Sequence, residues 1–308
     1  MHISVVSPVY KASTILPELV DRLIIVLTKI TDSFEIILVD DGCPMDSWRV
    51  IDELSQKHSV IQGLKLSRNF GQHHAITAGL DYAEGEWIVV MDCDLQDQPE
   101  DIIVLYTNCL EKELDLLVAS SLNRNQNLFK NFSSNIYRRI FNFLTDADLE
   151  SGIGNFGIYK KKVIESVLEM GDSVKIFPVL VKWVGFNRGI LQLERKSRIS
   201  GQSSYTIIKL VKLSFEIGLA FSDKILKLGL FLGLITNLFS FSYAIIIVNQ
   251  YFSGGIKVAG YTSVLITVLL LCGILMTFLG VLGLYISKIF QKVKNRPNYI
   301  ISKRTINE

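Results

Sequence analysis

The sequence predicts an α/β protein, with a doubly wound, mostly parallel sheet followed by a two-helix transmembrane hairpin. Three observations predict it. In the first 120 residues, short apolar runs alternate with segments of helical periodicity, as in βαβ units. Two of those apolar runs end in clustered aspartates. Two long apolar stretches follow near the C-terminus.

The predicted elements follow one another in order along the first part of the chain. Each predicted strand is an apolar run, and each predicted helix repeats apolar residues at a spacing of three or four. A proline and two acids, Pro99 to Asp101, form a normal first helical turn. The strands are 2–10, 34–42, 61–67, 87–95 and 114–121, and the helices are 14–30, 46–58, 73–83 and the segment after 99.

Carboxylates occur at the carboxyl ends of two predicted strands. Asp40 and Asp41 end one strand, and Asp92 and Asp94 end another. Unpaired charges are costly to bury, whereas ligands of open α/β sheets bind at the carboxyl ends of the strands. Asp92 and Asp94 offer hard oxygen ligands that would hold a divalent cation against a diphosphate. A solvated acidic turn is the alternative for this segment alone, but the second acidic strand end favours a ligand site.

The apolar residues are concentrated near the C-terminus of a chain that is 49% hydrophobic. Residues 225–249 carry one charge, Lys227, and residues 262–287 carry none, so each could cross a hydrocarbon core of about 30 Å. Two buried core helices are the alternative. Lysines and arginines flank the pair, while the loop 250–261 holds only Lys257. By the positive-inside rule both flanks are cytoplasmic.

Charge, cysteines and one glycine motif exclude other classes. A formal net charge of +2 predicts no nucleic-acid partner. The four cysteines show no metal-ligand spacing, which fits a reducing compartment. Residues 152–157 match GxGxxG, but no predicted strand precedes them, so dinucleotide binding is not predicted. His73 and His74 are adjacent on a helix, point about 100° apart, and favour a structural role.

Five motifs together resemble those of one enzyme family. They are VSPVY (6–10), VDDG (39–42), NFGQHHAI (69–76), MDCDLQDQPE (91–100) and RISGQSSY (198–205). Over nearly its whole length the chain is similar to the inverting, GT-A-fold family 2 glycosyltransferases that act on polyprenyl phosphates. Dolichyl-phosphate mannose synthase, bactoprenol glucosyltransferase and undecaprenyl-phosphate aminoarabinose transferase belong to this family.

The resemblance implies transfer of a single sugar, glucose first, from a nucleotide-sugar, a UDP-sugar first, to polyprenyl (undecaprenyl) phosphate. It also implies Mg²⁺ or Mn²⁺ as cofactor, a homotetramer, and a role in cell envelope polysaccharide synthesis at the plasma (inner) membrane. Transfer to a lipid-linked saccharide or a glycerolipid is the alternative. A non-enzymatic membrane scaffold is a third hypothesis, which the intact acidic motifs disfavour.

The implied organisation has the catalytic domain and both termini in the cytoplasm. A basic amphipathic segment, 128–144, either lies in the membrane interface or packs against the sheet. The parts are a GT-A domain (1–204), an amphipathic juxtamembrane helix (205–224), a first span (225–249), an extracytoplasmic loop (250–261), a second span (262–287) and a basic tail (288–308).

The resemblance also assigns roles to individual residues. Residues at the first two strand ends would contact the donor nucleoside, and those after the fourth strand would hold the metal and the diphosphate. A loop arginine would bind the donor phosphates, and a basic segment would bind the acceptor phosphate. In that order they are Pro8, Tyr10, Asp40 and Asp41; Asp92, Asp94 and Gln96; Arg198; and Arg124, Lys130, Ser134 and Arg139.

The sequence departs from the family pattern at a few positions. Lys11 and Ala12 replace the family's Asn-Glu, Ser204 replaces a lysine, and Asn155 replaces an acid. Because a polyprenyl phosphate is already an anion near pH 7, it can attack the anomeric carbon without losing a proton. Asn155 therefore weakens the assignment of a general base and leaves the activity in place.

Overall fold

A computed structural model describes residues 2–121, 153–170, 176–194, 260–294 and 296–305, with seven single positions between 231 and 249. The chain divides into two compact units. The first contains Met1–Ile136, Ala147–Ser204 and Arg296–Glu308, and the second contains Tyr137–Asp146 and Tyr205–Asn295.

The first unit is built on a mixed sheet, which has eight strands within the described residues. Across the sheet the strand order is β7-β5-β6-β4-β1-β2-β3-β8. Strands β4, β1, β2 and β3 run parallel to one another, β5 and β7 are parallel, and β6 and β8 are antiparallel to their neighbours. The strands are β1 (Ile3–Val9), β2 (Phe34–Asp40), β3 (Ile61–Leu66), β4 (Trp87–Val90), β5 (Leu116–Ser121), β6 (Ile153–Lys160), β7 (Arg188–Leu193) and β8 (Ile301–Arg304).

Helices cover both faces of this sheet. One layer contains α1, α2 and α4, and the other contains α3, α5 and α6. Because both faces are covered, every residue of β1 and β2 is buried, as expected for the centre of a parallel sheet. The helices are α1 (Leu16–Leu27), α2 (Ser47–Lys57), α3 (Gln72–Leu80), α4 (Asp101–Glu111), α5 (Lys161–Glu169) and α6 (Phe177–Trp183).

The five strands and four helices predicted for the first 121 residues are present in the predicted order, but β4 is shorter than predicted. It ends at Val90 instead of residue 95. The apolar positions Met91, Cys93 and Leu95 continue to be buried beyond it. The chain nevertheless leaves the extended conformation, because Leu95 has a φ of +53°. Asp92 and Asp94 therefore lie on a loop, not on a strand.

The strands β6, β7 and β8 were not predicted. The glycine motif at 152–157 enters β6, so it forms an antiparallel strand and not a phosphate-binding turn. Strand β8 comes from the segment that the sequence suggested only as a basic tail. It pairs antiparallel with β3 and covers that edge of the sheet.

Several side-chain contacts fasten the residues around β8. The Thr305 hydroxyl accepts a hydrogen bond from the buried Gly63 N–H at 2.8 Å. The Tyr299 hydroxyl donates to the Asp81 carboxylate at 2.5 Å. The C-terminal strand is thus part of the sheet and is held by more than its backbone ladder.

In the second unit, helix α7 runs from Tyr261 to Val293 and includes the predicted second span, 262–287. The first predicted span, 225–249, lies outside the described residues apart from seven single positions. Among the residues that the structure describes, no helix is both long enough and apolar enough to cross a membrane.

We expect Thr305→Val to lower the free energy of unfolding by about 1 to 3 kcal/mol. Valine has nearly the same shape but leaves the buried Gly63 N–H without an acceptor. Urea unfolding of the purified full-length protein would measure the change. Ser302→Ala is the matched control, because the Ser302 hydroxyl donates to the Lys65 carbonyl in an exposed position, and its effect should stay below about 0.5 kcal/mol. Equal effects of the two substitutions would contradict the prediction.

Candidate active site

The carboxyl ends of three neighbouring strands bring several predicted site residues to one edge of the sheet. Strand β1 lies between β2 and β4, with Pro8 opposite Val39 and Val6 opposite Val90. Because these strands are parallel, the residues that follow them emerge side by side. We call the ends of β4, β1 and β2 the carboxyl edge.

Asp40 is the last residue of β2 and is fully buried at this edge. Its Oδ1 accepts a hydrogen bond from the Cys43 N–H at 2.8 Å. Within the described part of the chain, its Oδ2 is buried and has no hydrogen-bond partner. Burial raises the pKa of Asp40, although the Cys43 N–H and the charge of Lys65 oppose the shift. Asp40 therefore keeps one buried acceptor that no described group satisfies.

Asp41 joins the turn after β2 to the start of α3. Its carboxylate accepts hydrogen bonds from the Phe70 N–H at 2.7 Å and the Gly71 N–H at 3.0 Å. The two segments approach so closely that a Cβ on Gly42 would lie 2.3 Å from the Arg68 carbonyl carbon. Gly42 also has a φ of +58°, which favours glycine. The VDDG and NFGQHHAI motifs thus contact each other through Asp41 and Gly42.

Asp92 follows β4 and is held by two side-chain amides. Its Oδ1 accepts from Gln72 Nε2 at 2.6 Å and from Asn155 Nδ2 at 3.2 Å. Gln72 is the first residue of α3. Asn155 lies on β6, two residues before Gly157, which pairs with Val90 at the end of β4. Two amide donors stabilise the ionised form of a carboxylate.

Sequence analysis did not find Gln72 as a site residue. The available signal was its position in the NFGQHHAI motif, one residue after the glycine that contacts Asp41. Sequence analysis treated Asn155 only as a missing acid, whereas the structure shows an amide that donates to Asp92.

The loop after Asp92 is folded back on itself. The Gln96 N–H donates to Asp94 Oδ1 at 3.2 Å. Leu95 is buried and has a positive φ, and the Gln98 side chain donates to its carbonyl at 2.9 Å. Asp94 and Gln96 are thereby held on a short, defined loop next to Asp92.

The residues at this loop fit a divalent cation. No group of three or more His, Cys, Asp or Glu side chains that could hold a metal occurs among the described residues. Such a group is not required, because Mg²⁺ in nucleotide enzymes takes one or two carboxylates together with substrate phosphates. Asp92 and Asp94, both half-buried, and the side-chain oxygen of Gln96 are hard donors of this kind.

Of the remaining predicted site residues, Pro8 and Tyr10 are described by the structure and the others are not. Pro8 lies within β1, and Tyr10 is 42% exposed just beyond it. The Lys11 Nζ lies 5.4 Å from the centre of the Tyr10 ring. The predicted phosphate-binding residues Arg124, Lys130, Ser134, Arg139 and Arg198 lie outside the described residues.

His73 of the NFGQHHAI motif does not supply positive charge near pH 7. Burial lowers the pKa of His73 to about 4, with a further contribution from the neighbouring His74. His73 is therefore neutral near pH 7, in agreement with the structural role that its helical position suggested.

Comparison with known proteins gives a consistent set of relatives. The family description "Glycosyl transferase family 2" matches residues 4–168. An uncharacterized glycosyltransferase of Bacillus subtilis, YkcC, is 32% identical and covers 97% of this chain and 93% of its own. A bactoprenol glucosyl transferase of Shigella flexneri is 29% identical over 87% of each chain. An undecaprenyl-phosphate 4-deoxy-4-formamido-L-arabinose transferase of Yersinia pestis is 28% identical, over 98% of this chain and 93% of its own.

Among solved structures, the glucosyl-3-phosphoglycerate synthase of Mycobacterium tuberculosis matches with a TM-score of 0.49 and 13% identity. The match covers 71% of this chain and 78% of that protein. A likeness at this level supports no statement about activity.

We expect Asp40→Asn to become more stable relative to the wild-type protein as the pH rises from 4 to 7.5. Because the pKa of Asp40 is raised in the folded state, its ionised carboxylate destabilises the fold above that pKa. Below the pKa of the unfolded state the carboxyl group is protonated in both states, and this destabilisation is absent. The difference should reach about 1.4 kcal/mol for each unit by which the pKa is raised. Urea unfolding at several pH values would measure it.

Asp115→Asn is the control with the opposite sign. Asp115 accepts hydrogen bonds from Lys160 at 3.0 Å and Lys162 at 2.8 Å, and these partners lower its pKa. Asp115 therefore stabilises the fold at neutral pH, and this contribution is lost as the pH falls through the lowered pKa. A pH-independent difference for Asp40→Asn would contradict the prediction.

Proposed function

Because the chain belongs to glycosyl transferase family 2, we propose that it transfers a single sugar from a nucleotide-sugar to polyprenyl phosphate. UDP-glucose is the donor and undecaprenyl phosphate the acceptor in this proposal, with inversion at the anomeric carbon. The observation that carries it is the set of carboxylates at the carboxyl edge. Among the described residues no group pairs with the buried Oδ2 of Asp40, and Asp92 and Asp94 lie on the adjacent loop.

Each carboxylate has a different part in donor binding. The free Oδ2 of Asp40 accepts an N–H of the nucleobase, and Tyr10, exposed at the same edge, packs against the nucleoside. Asp92, Asp94 and Gln96 hold Mg²⁺ or Mn²⁺ against the diphosphate. A divalent cation bound there supplies positive charge that stabilises the departing diphosphate.

The reaction needs no general base from the protein. An oxygen of the acceptor phosphate, already ionised near pH 7, forms the bond to the anomeric carbon. The bond from that carbon to the nucleoside diphosphate breaks on the opposite face, and the diphosphate leaves with the electron pair. The side chain of Asn155 agrees with this scheme, because it donates to Asp92 and has no proton-accepting role.

The acceptor and the membrane location are supported by sequence and by the names of two relatives. The relatives from Shigella flexneri and Yersinia pestis are named for bactoprenol and for undecaprenyl phosphate. The uncharged residues 262–287 and the nearly uncharged 225–249 would form a membrane hairpin, and the catalytic domain would face the cytoplasm. The proposal also keeps three further parts. Arg198 would bind the donor phosphates, and the protein would be a homotetramer. The acceptor phosphate would be bound by Arg124, Lys130, Ser134 and Arg139.

The test is a donor and acceptor screen with the purified full-length protein. Undecaprenyl phosphate is incubated with Mn²⁺ and with a panel of nucleotide-sugars, and the lipid products are identified by mass spectrometry. The expected product is undecaprenyl phosphate with one hexose, in the β configuration when UDP-α-glucose is used. No lipid-phosphate product from any donor would overturn the proposal, and product on a lipid-linked saccharide or glycerolipid alone would favour the alternative acceptor.

We expect Asp94→Ala to lower kcat/KM by about 100-fold or more, because one of the two carboxylates that hold the cation and the diphosphate is lost. The rate of product formation at several Mn²⁺ concentrations would measure the change. Asp21→Ala removes an exposed carboxylate from α1 and should have no effect. Full activity of folded Asp94→Ala protein would contradict the assigned role.

A further inference from the structure

We propose that Arg22, a residue of α1, is a positioning residue that holds the loop of Asp92, Asp94 and Gln96 in its binding conformation. It acts through Gln98 and Glu100, without touching the donor. That Arg22 orders the loop is inferred from its contacts alone. That this ordering strengthens donor binding rests on the proposed function.

The guanidinium of Arg22 makes a bidentate contact with Glu100. Its Nε donates to Glu100 Oε1 at 3.0 Å, and its Nη2 donates to Glu100 Oε2 at 2.5 Å. The same Nη2 donates to Gln98 Oε1 at 2.7 Å. Planar bidentate pairs of this type are among the stronger charge-assisted contacts, and they also fix orientation.

Gln98 transmits this contact to the metal-binding loop. While its side-chain oxygen accepts from Arg22, its side-chain nitrogen donates to the Leu95 carbonyl at 2.9 Å. Leu95 has a φ of +53°, a conformation that leucine keeps only where the surroundings enforce it. Because Leu95 lies between Asp94 and Gln96, its conformation sets the directions of both side chains.

Arg22 differs from a typical surface arginine of this protein. Arg49 also pairs with two carboxylates, Asp46 and Glu53, but both lie three or four residues away and the arginine side chain is 61% exposed. The Arg22 side chain is 22% exposed, and Gln98 and Glu100 lie 76 and 78 residues away. An exposed local pair contributes little, whereas Arg22 links two separate elements of the fold.

The loop is therefore ordered before any ligand binds. Without Arg22, the conformation of Leu95 loses its support and the donor atoms of Asp94 and Gln96 must be ordered by the ligand itself. Loss of partners that orient metal ligands typically weakens metal affinity about 10- to 100-fold. We expect an effect near the lower limit, because Asp92 keeps its own partners, Gln72 and Asn155.

Hydrogen–deuterium exchange of the ligand-free, full-length protein tests the ordering of the loop. In Arg22→Met, peptides that cover residues 93–98 should exchange about 10-fold faster, while peptides of β2 stay unchanged. Arg49→Met, which removes a comparable pair of contacts from α2, should leave the loop unchanged. Unaltered exchange in the loop of Arg22→Met would overturn the proposal.

Calorimetric titration with UDP in the presence of Mn²⁺ tests the consequence. The Kd for UDP should rise about 10-fold in Arg22→Met and by less in Glu100→Gln, which leaves the hydrogen bond from Arg22 to Gln98 in place. The double variant should bind no more weakly than Arg22→Met, because Arg22→Met already removes both contacts. Arg22→Lys keeps the charge but not the bidentate contact and should not restore affinity. Wild-type affinity in Arg22→Met with a faster-exchanging loop would overturn the positioning role.

Two outcomes separate this inference from the proposed function. If wild-type protein does not bind UDP with Mn²⁺, the proposed donor fails while the exchange experiment still decides whether Arg22 orders the loop. If Arg22→Met does not fold, Glu100→Gln provides exchange and titration tests of the bidentate contact alone, with changes in the same direction but smaller.

Discussion

The arrangement of the candidate site depends on the hydrogen bonds that the Asp41 carboxylate accepts from the start of α3. By accepting the N–H groups of Phe70 and Gly71, it sets where α3 begins. Gln72, the next residue, is then placed to donate to Asp92. The ends of β2 and β4 are separated by β1 in the sheet, so this path through α3 is a second, side-chain connection between them. One buried acid thus couples the end of β2 to the loop that follows β4.

The site collects negative charge at a place where the fold would be more stable without it. Burial raises the pKa of both Asp40 and Asp41, and the charge of Asp40 raises the pKa of Asp41 further. Backbone and amide N–H groups partly offset this cost at Asp41 and Asp92. Asp40 Oδ2 lacks such compensation within the described residues. A buried acceptor without a partner is expected where the partner belongs to the substrate.

Much of the parallel half of the sheet could be predicted from the sequence, because its strands are short, mostly apolar runs that alternate with helical segments. The antiparallel strands carry weaker signals. The start of β6 was considered only as a GxGxxG match, and β8 has only Ile301 as an apolar residue among four, as an edge strand allows. Their positions are set by pairing with distant strands, which no local pattern records. The end of β4 was misplaced because burial continues through Leu95 although the extended backbone does not.

The same distinction applies to the candidate site. Carboxylates that follow apolar runs are visible in a sequence, so Asp40, Asp92 and Asp94 could be found. The residues that orient them are polar side chains from other elements, namely Gln72, Asn155 and Arg22. Each is unremarkable in its local sequence, and its importance comes from a contact across 20 to 78 residues of chain. Family resemblance points to motifs, but it does not show which motif residues touch one another.

The pairing of β8 with β3 has a consequence for the order of folding during synthesis. Ser302 contacts Lys65 across 237 residues of chain. At translation rates of about 5 to 20 residues per second, the edge of β3 would wait roughly 10 to 50 s for its partner strand. During that interval its backbone N–H and C=O groups form an open edge that another chain could pair with. The pairing of β8 with β3 therefore closes an edge at which a nascent chain could associate with its neighbours.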